Sequence, residues 1–406
     1  MPASTAASAA ATVPAKDAHA RELVRRLHEP LLGGNRVQLL QDGPATFEAM
    51  FRAIDGARDH INIESYIVEA DGPGEELARR LVERCKAGVR VNLLFDSFGS
   101  FGTSAAFFDK LRDADVRLCE YNPIQRWRAL LGKALHLRDH RKLMVVDGRI
   151  GFIGGVNISA VYSSGPLGPR AAGGNSGPGW RDIHVAVEGP VVQRLQRLFI
   201  AHWQRFANVP MQQARYFPPL PPAGTQRVGV AACDAGRRPN PYYNALLGAI
   251  DGARSRILLT TAYWVPPRRL MRSLTQAAER GVAVSLLLPG VSDFWAPLHA
   301  GRSHFARLLA AGVQIHERHD ALLHAKACVI DGVWASVGSS NIDWRSFVHN
   351  AEANLIVLDH GFAGQLEQVF RDDVRQAQRI DAEAWAQRSL GFRLKETLAR
   401  RFEFFL

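Results

Sequence analysis

The residues in this chain best suited to chemistry come as two sets with one spacing. The first reads His140-Arg141-Lys142, then Asp147, Gly154 and Asn157; the second reads His324-Ala325-Lys326, then Asp331, Gly338 and Asn341. In both, lysine stands two residues after histidine, aspartate seven, glycine fourteen and asparagine seventeen. One His-x-Lys carries no information, but these coincident offsets mark a duplicated site. Neutral imidazole is a competent nucleophile toward phosphorus, while ammonium groups and side-chain amides stabilise the oxygens of a crowded, negatively charged transition state. Residues two apart on a strand face the same side, so each His and Lys would enter one cleft while the apolar run before each Asp fills the core.

The candidate catalytic set by motif membership is therefore His140, Lys142, Asp147, His324, Lys326 and Asp331. The two aspartates, at strand-to-turn junctions, read as structural members of it. Gly154-Gly155 and Gly338-Ser339 lack bulk where a backbone could approach a phosphate and offer its N–H groups. An imidazole used this way needs a carboxylate on its other nitrogen to fix the tautomer and stabilise the cation. Two stand at suitable places: Glu352, at the end of the run from Arg345, and Asp182, within Trp180-Arg181-Asp182-Ile183-His184. On a strand His184 would alternate with Asp182 and help bound the cleft. The histidines outside the motifs show no metal-ligand spacing, and neither a metal nor a cofactor is expected.

Elements that could hold these residues are also duplicated. Ala53-Ile54-Asp55-Gly56-Ala57-Arg58 recurs letter for letter at Ala249 to Arg254, each copy preceding an apolar strand pattern, Ile61 to Val68 and Ile257 to Val265. A helical pattern and a Gly-Val-led strand follow, Gly88 to Phe95 and Gly281 to Leu288, and then a shorter strand ending at Leu118 or Ile315. Alternating strands and helices predict an α/β chain of two similar lobes, pseudo-twofold related, each a mainly parallel sheet flanked by helices, with the site between them. The expected divisions are a disordered tail at 1–22, a first domain at 23–209, a Pro-rich linker at 210–224, a second domain at 225–380 and an amphipathic basic tail at 381–406. A Gly-, Pro- and Ser-rich loop at 162–179 is expected to be mobile.

The 406 residues, 47% of them hydrophobic, suffice for two cores, and a formal charge of +11 predicts attraction to polyanions without choosing among nucleic acid, anionic lipid and phosphorylated substrates. The four cysteines are widely spaced and read as buried thiols. No stretch reaches the length of a spanning helix, and Met1 to Lys16 lacks the layout of a secretory signal, which predicts a cytosolic or peripheral protein.

Both sets match HxKxxxxD…G[GS]xN, and over about residues 37 to 375 the chain resembles the phospholipase D superfamily. Val37 to Gly43, Phe152 to Ser159, Ala335 to Asn341 and Asn350 to Asn354 are similar to bacterial cardiolipin synthases, in the shorter form without N-terminal transmembrane helices. That resemblance implies a two-step, metal-independent transfer of a phosphatidyl group from a phospholipid to phosphatidylglycerol or glycerol through a phosphatidyl-histidine, with a phospholipase D hydrolase, a nuclease of the same superfamily and a non-catalytic lipid-binding scaffold as the alternative readings. His140 would be the nucleophile and His324 the acid and base, although the two could exchange roles. Lys142, Lys326, Asn157, Asn341 and Ser339 would hold the substrate. It further implies phospholipid partners, phosphatidylglycerol and phosphatidylethanolamine among them, and a peripheral place on the cytoplasmic side of the bacterial inner membrane. Nucleic acid is not an expected partner, and oligomeric state is left open. Arg126 to Lys133, Phe294-Trp295 and the apolar and basic residues from Arg388 to Leu406 are candidates for contact with an anionic membrane surface.

Overall fold

The computed structural model describes residues 30–124, 137–166, 179–207, 209–211, 213–238 and 240–405. The expected tail at 1–22, the segment Arg126 to Lys133 and most of the 162–179 loop lie outside these residues.

The first lobe takes its strands in the order β1 (Leu32–Gln41), β2 (His60–Ser65), β3 (Arg90–Asp96), β4 (Arg117–Tyr121), β5 (Lys142–Val146), β6 (Ile150–Gly154), β7 (Trp180–Arg181) and β8 (Ile183–Glu188). The second follows with β9 (Gln226–Cys233), β10 (Arg256–Thr260), β11 (Ala283–Pro289), β12 (Gln314–Arg318), β13 (Leu322–Leu323), β14 (Ala327–Ile330), β15 (Trp334–Gly338), β16 (Glu352–Leu358) and β17 (Gln378–Arg379). The lobes are duplicates in topology as well as in motif. Strands run β1-β8-β6-β5-β2-β3-β4 in one and β9-β16-β15-β14-β10-β11-β12 in the other, and an antiparallel β1–β9 pairing joins them into a single sheet.

The two-lobed α/β architecture is the expected one, but the strand directions differ from expectation. Within the large sheet of the described residues, β2–β3–β4 and β10–β11–β12 pair in parallel and the other pairings are antiparallel, so the sheet is mixed rather than mainly parallel. The cause is a hairpin in each motif. Asp147-Gly148 and Asp331-Gly332 have φ of 52° and 63°, and 52° and 66°, as a turn with two left-handed residues requires, and they fold β5 onto β6 and β14 onto β15.

Three apolar clusters hold the layers together. One is common to both lobes and joins Leu143, Val185, Val329 and Leu355 of the sheet to Phe199 and Phe370 of the helices Val192–Phe206 and His360–Arg375. The other two lie under the outer helices of each lobe, around Phe47, Leu81 and Phe107 in the first and Leu246, Leu274 and Phe305 in the second. The segment expected as a linker is packed, with Met211 and Tyr216 buried and Tyr216 edge-on to His60. The C-terminal segment is no free tail either: the helix Leu390–Arg400 docks on the helix Trp295–Arg302, burying Ala399 against Val265 and Ala300. No helix among the described residues is long and apolar enough to cross a membrane. All four cysteines are free thiols.

Candidate active site

Each histidine precedes a hairpin strand of its own lobe, but its backbone is held by the other lobe. The His140 N–H donates to Ala351 O at 2.9 Å and Ala351 N–H to Arg138 O at 2.8 Å. Reciprocally, the His324 N–H donates to Arg181 O at 2.8 Å, where β13 pairs in parallel with β7. Ala351 and Arg181 are the residues just before Glu352 and Asp182. The consequence is an exchange of carboxylates: Glu352 of the second lobe lies 3.0 and 3.2 Å from His140 Nδ1, and Asp182 of the first lies 2.7 Å from His324 Nδ1. Neither histidine is furnished by one lobe alone.

An ionised carboxylate can only accept, so Nδ1 of each ring donates and Nε2 keeps its lone pair for chemistry. The Lys142 ammonium donates to His140 O at 2.8 Å; that of Lys326 donates to His324 O and lies 2.9 Å from its Nδ1. Burial first, then the neighbouring lysines, hold His140 down at about 4 against the pull of Glu352, and push His324 well below its ordinary value. Each lysine's charge reaches the opposite lobe's histidine, as expected of two sets that share a cleft. Burial likewise lowers Lys142 to about 7 and Lys326 to about 8. It lifts Asp182 to about 6 despite Lys326, whereas His140, Lys142 and the Ser339 hydroxyl outweigh burial and keep Glu352 below its ordinary value.

The remaining predicted residues are placed more variously. Asp147 and Asp331, counted with the catalytic set by motif membership, lie at the far ends of their strands, about 16 Å along from the lysines at ordinary strand rise. Asp147 accepts from the N–H groups of Arg58, Asp59 and His60 at 2.8–2.9 Å, and Asp331 from those of Arg254, Ser255 and Arg256 at the same range. They cap the loop that follows the duplicated hexapeptide, which explains why hexapeptide and motif repeat together. Asn157 spends its amide inside the protein, accepting from Ile67 N at 3.3 Å and donating to the Tyr162 hydroxyl at 3.0 Å; buried Asn341 has no partner for Oδ1 among the described residues. Ser339 donates its hydroxyl to Glu352, and so acts on the carboxylate rather than on a phosphate. The expected backbone donors are also engaged: the N–H groups of Gly155 and Ser339 donate to Ile183 O and Ala353 O at 3.0 Å. Gly154 and Gly338 instead permit close strand approach, since a Cβ would fall 2.5 Å from His184 Cα or Ala353 O. His184 is buried one strand away and, with burial as the main cause, is held near 3.

Sequence reasoning missed the aromatic wall. The Tyr162 hydroxyl lies 3.2 Å from His324 Nδ1, Trp180 packs 5.0 Å from the same ring, and Tyr66 packs edge-on 5.1 Å from His140. Tyr162 has no signal in the repeat, because Ser346 stands at the corresponding place. Also missed was a buried network beside His140, assembled from three separate parts of the chain. Glu64 accepts from His202 at 2.8 Å and from Arg141 at 3.4 Å, and Asp139 adjoins them. Glu64, Asp139 and His202 are close enough to share a cation, but the Arg141 guanidinium already neutralises Glu64.

A mixed sheet built twice, with paired His-Lys sets exchanging carboxylates across one cleft, is a phospholipase D-like arrangement. Residues 50–163 and 246–374 match the family described as "Cardiolipin synthase, PLD-like domain". The chain is 33% identical over 388 residues to a cardiolipin synthase of Geobacillus kaustophilus, covering 94% of this chain and 75% of that one. It is 30% identical over 388 residues to the major cardiolipin synthase of Bacillus subtilis, covering 93% and 77%. The fold is that of a solved phosphatidylserine synthase of Haemophilus influenzae (TM-score 0.70, 14% identity, 96% of this chain and 100% of that one). The chain belongs to the cardiolipin synthase family of phospholipase D-like phosphatidyltransferases.

Proposed function

We propose that the protein moves a phosphatidyl group from one phospholipid, phosphatidylglycerol or phosphatidylethanolamine, onto the primary hydroxyl of phosphatidylglycerol or of glycerol, through a covalent phosphatidyl-histidine. The observation that carries this reading is the reciprocal pair of histidine–carboxylate contacts, which leaves two Nε2 atoms available in one cleft beside two lysines. His140 Nε2 attacks phosphorus and forms a P–N bond, while the departing alkoxide takes a proton from His324. His324 then removes the proton of the incoming hydroxyl, whose oxygen displaces His140 and restores the P–O bond. The assignment to His140 follows from its partner. Phosphorylated imidazole is cationic, and Glu352 remains an anion where Asp182 is held near 6. Lys142 and Lys326 neutralise the phosphate, and the bound anion favours the imidazolium of His324 against the burial and the ammonium charges that keep it unprotonated in the empty cleft. Its place in the cell is then peripheral, on the cytoplasmic side of the inner membrane.

Purified protein with phosphatidylglycerol in mixed micelles and EDTA, products resolved by mass, tests the reading. Cardiolipin and glycerol are expected, together with a phosphatidyl adduct on a His140 peptide after acid-free quenching. Phosphatidic acid alone would make the enzyme a hydrolase.

A further inference from the structure

Strands β3 and β11 are the middle strands of the two parallel triplets, and the loops leaving them carry bare aromatic side chains at equivalent places. Phe98 and Phe101 follow β3, with Phe101 77% exposed; Phe294 and Trp295 follow β11, 61% and 62% exposed. Large apolar side chains displayed this way stand out from a surface where such residues are normally scattered and partly covered.

Both loops flank the cleft. The first rests on the His140 side: Asp96 accepts from the Asp139 N–H at 2.8 Å, Arg138 lies over the Phe98 ring at 5.5 Å, and Ser100 donates to the backbone of Tyr66, the residue packed on His140. The second rests on Tyr263, which donates to Asp293 at 2.7 Å and packs 6.4 Å from Phe294. The C-terminal helix extends this second side, since it lies on Trp295–Arg302 and its following turn puts Phe404 5.5 Å from Trp344, three residues beyond Asn341. It exposes Leu394, Leu398 and Phe402 among Arg393, Lys395, Arg400 and Arg401, whereas its two carboxylates are engaged, Glu396 with Arg388 and Glu403 with His304. What the surface presents outward is apolar and positive, the complement of an anionic lipid interface.

We propose that the rim of the cleft is a two-legged membrane-docking face, the Phe98/Phe101 loop of one lobe and the Phe294/Trp295 loop with the C-terminal helix of the other entering one anionic leaflet together. It rests on the reading that the substrate is a phospholipid. A headgroup could then reach the histidines from the leaflet without the lipid leaving it, and each lobe is required for grip as each is required for chemistry.

The test uses the full chain and two double variants, Phe98→Ser/Phe101→Ser and Phe294→Ser/Trp295→Ser. Co-sedimentation with vesicles of mixed phosphatidylglycerol and phosphatidylcholine should weaken about tenfold in either, as loss of interfacial aromatics implies, while turnover of monomeric short-chain phosphatidylglycerol stays within about twofold. The short-chain assay also verifies folding. Brominated lipids should quench the wild-type tryptophan fluorescence, and the conservative Trp295→Phe should remove most of that quenching. Wild-type vesicle binding in either double variant, or equal binding to pure phosphatidylcholine, overturns the docking face. Weakened binding by a protein that turns over no phospholipid leaves the docking face standing and removes the catalytic reading instead.

Discussion

The two histidines have the same motif and opposite foundations. His140 stands on charge: Asp139 and Arg141 flank it in sequence, Glu64 and His202 lie beneath, and its carboxylate is the longer Glu352, steadied by Ser339. His324 stands on apolar packing, flanked by buried Leu323 and Ala325, and its carboxylate is the shorter Asp182. The residue beside each carboxylate matches its length. Ser339 supplies a hydroxyl to Glu352, while Gly155 leaves room for Asp182, since a Cβ there would lie 2.1 Å from Oδ1. A duplicated fold has thus kept its motif letters and differentiated the immediate support of the two imidazoles. The proposed mechanism, in which one imidazole carries a covalent cation and the other only passes a proton, would require such a difference.

The most severe test of this comparison removes each imidazole. His140→Ala should lower turnover about 10^4-fold or more with any donor. His324→Ala should lose about 10^2–10^4-fold with phosphatidylglycerol but release p-nitrophenol from phosphatidyl-p-nitrophenol in a near-normal burst, because that leaving group needs no proton. A burst in His140→Ala and none in His324→Ala would exchange the roles.

Next come the carboxylates. Glu352→Gln and Asp182→Asn should each cost about 10^2–10^4-fold in kcat by freeing the tautomer of the ring they face. Glu352→Gln should be the worse and should suppress accumulation of the adduct, which mass analysis of quenched enzyme reads directly. A smaller effect belongs to their neighbours. Gly155→Ala displaces Asp182 by its Cβ and should cost about 10^2-fold, as an ångström of misplacement does. Ser339→Ala removes one hydrogen bond to a charge and should cost about tenfold. Equal losses from the two would mean that displacing Asp182 costs no more than loosening Glu352.

How much of this was legible in the sequence depends on whether a residue's partner lay nearby or was repeated. The lobes, the parallel triplets and the His-Lys sets were readable because each appears twice at fixed offsets. The strand directions were misjudged although the Asp-Gly turns of β5–β6 and β14–β15 are written in the chain, because strand–helix alternation outweighed a two-residue signal. Glu352 and Asp182 could be named as candidates from the chemistry an imidazole requires, but not assigned. Their crossing depends on the backbone pairing of Arg138–His140 with Ala351 and of β7 with β13, between segments some 140 to 210 positions apart. Tyr162 and the Glu64, Asp139 and His202 network had neither repetition nor local pattern to reveal them.

The mildest perturbation is pH, and it separates the lobes without a mutation in the first instance. Asp182, lifted to about 6 mainly by burial, accepts from His324 only when ionised, so kcat/KM should fall as pH drops through about 6. Lys142 and Lys326, lowered by burial to about 7 and about 8, would in the proposed mechanism serve phosphate only as ammonium groups, so kcat/KM should fall again as pH rises through that interval. The expected profile is a narrow bell over the free enzyme's neutral range. Because Glu352 is held below its ordinary value, it contributes nothing to the acidic limb near 6. Glu352→Gln should therefore keep that limb at reduced height, and Asp182→Asn should flatten it. An acidic limb that disappears in Glu352→Gln and persists in Asp182→Asn would assign the titrating partner to His140, and with it reverse the electrostatic argument for which histidine becomes covalent.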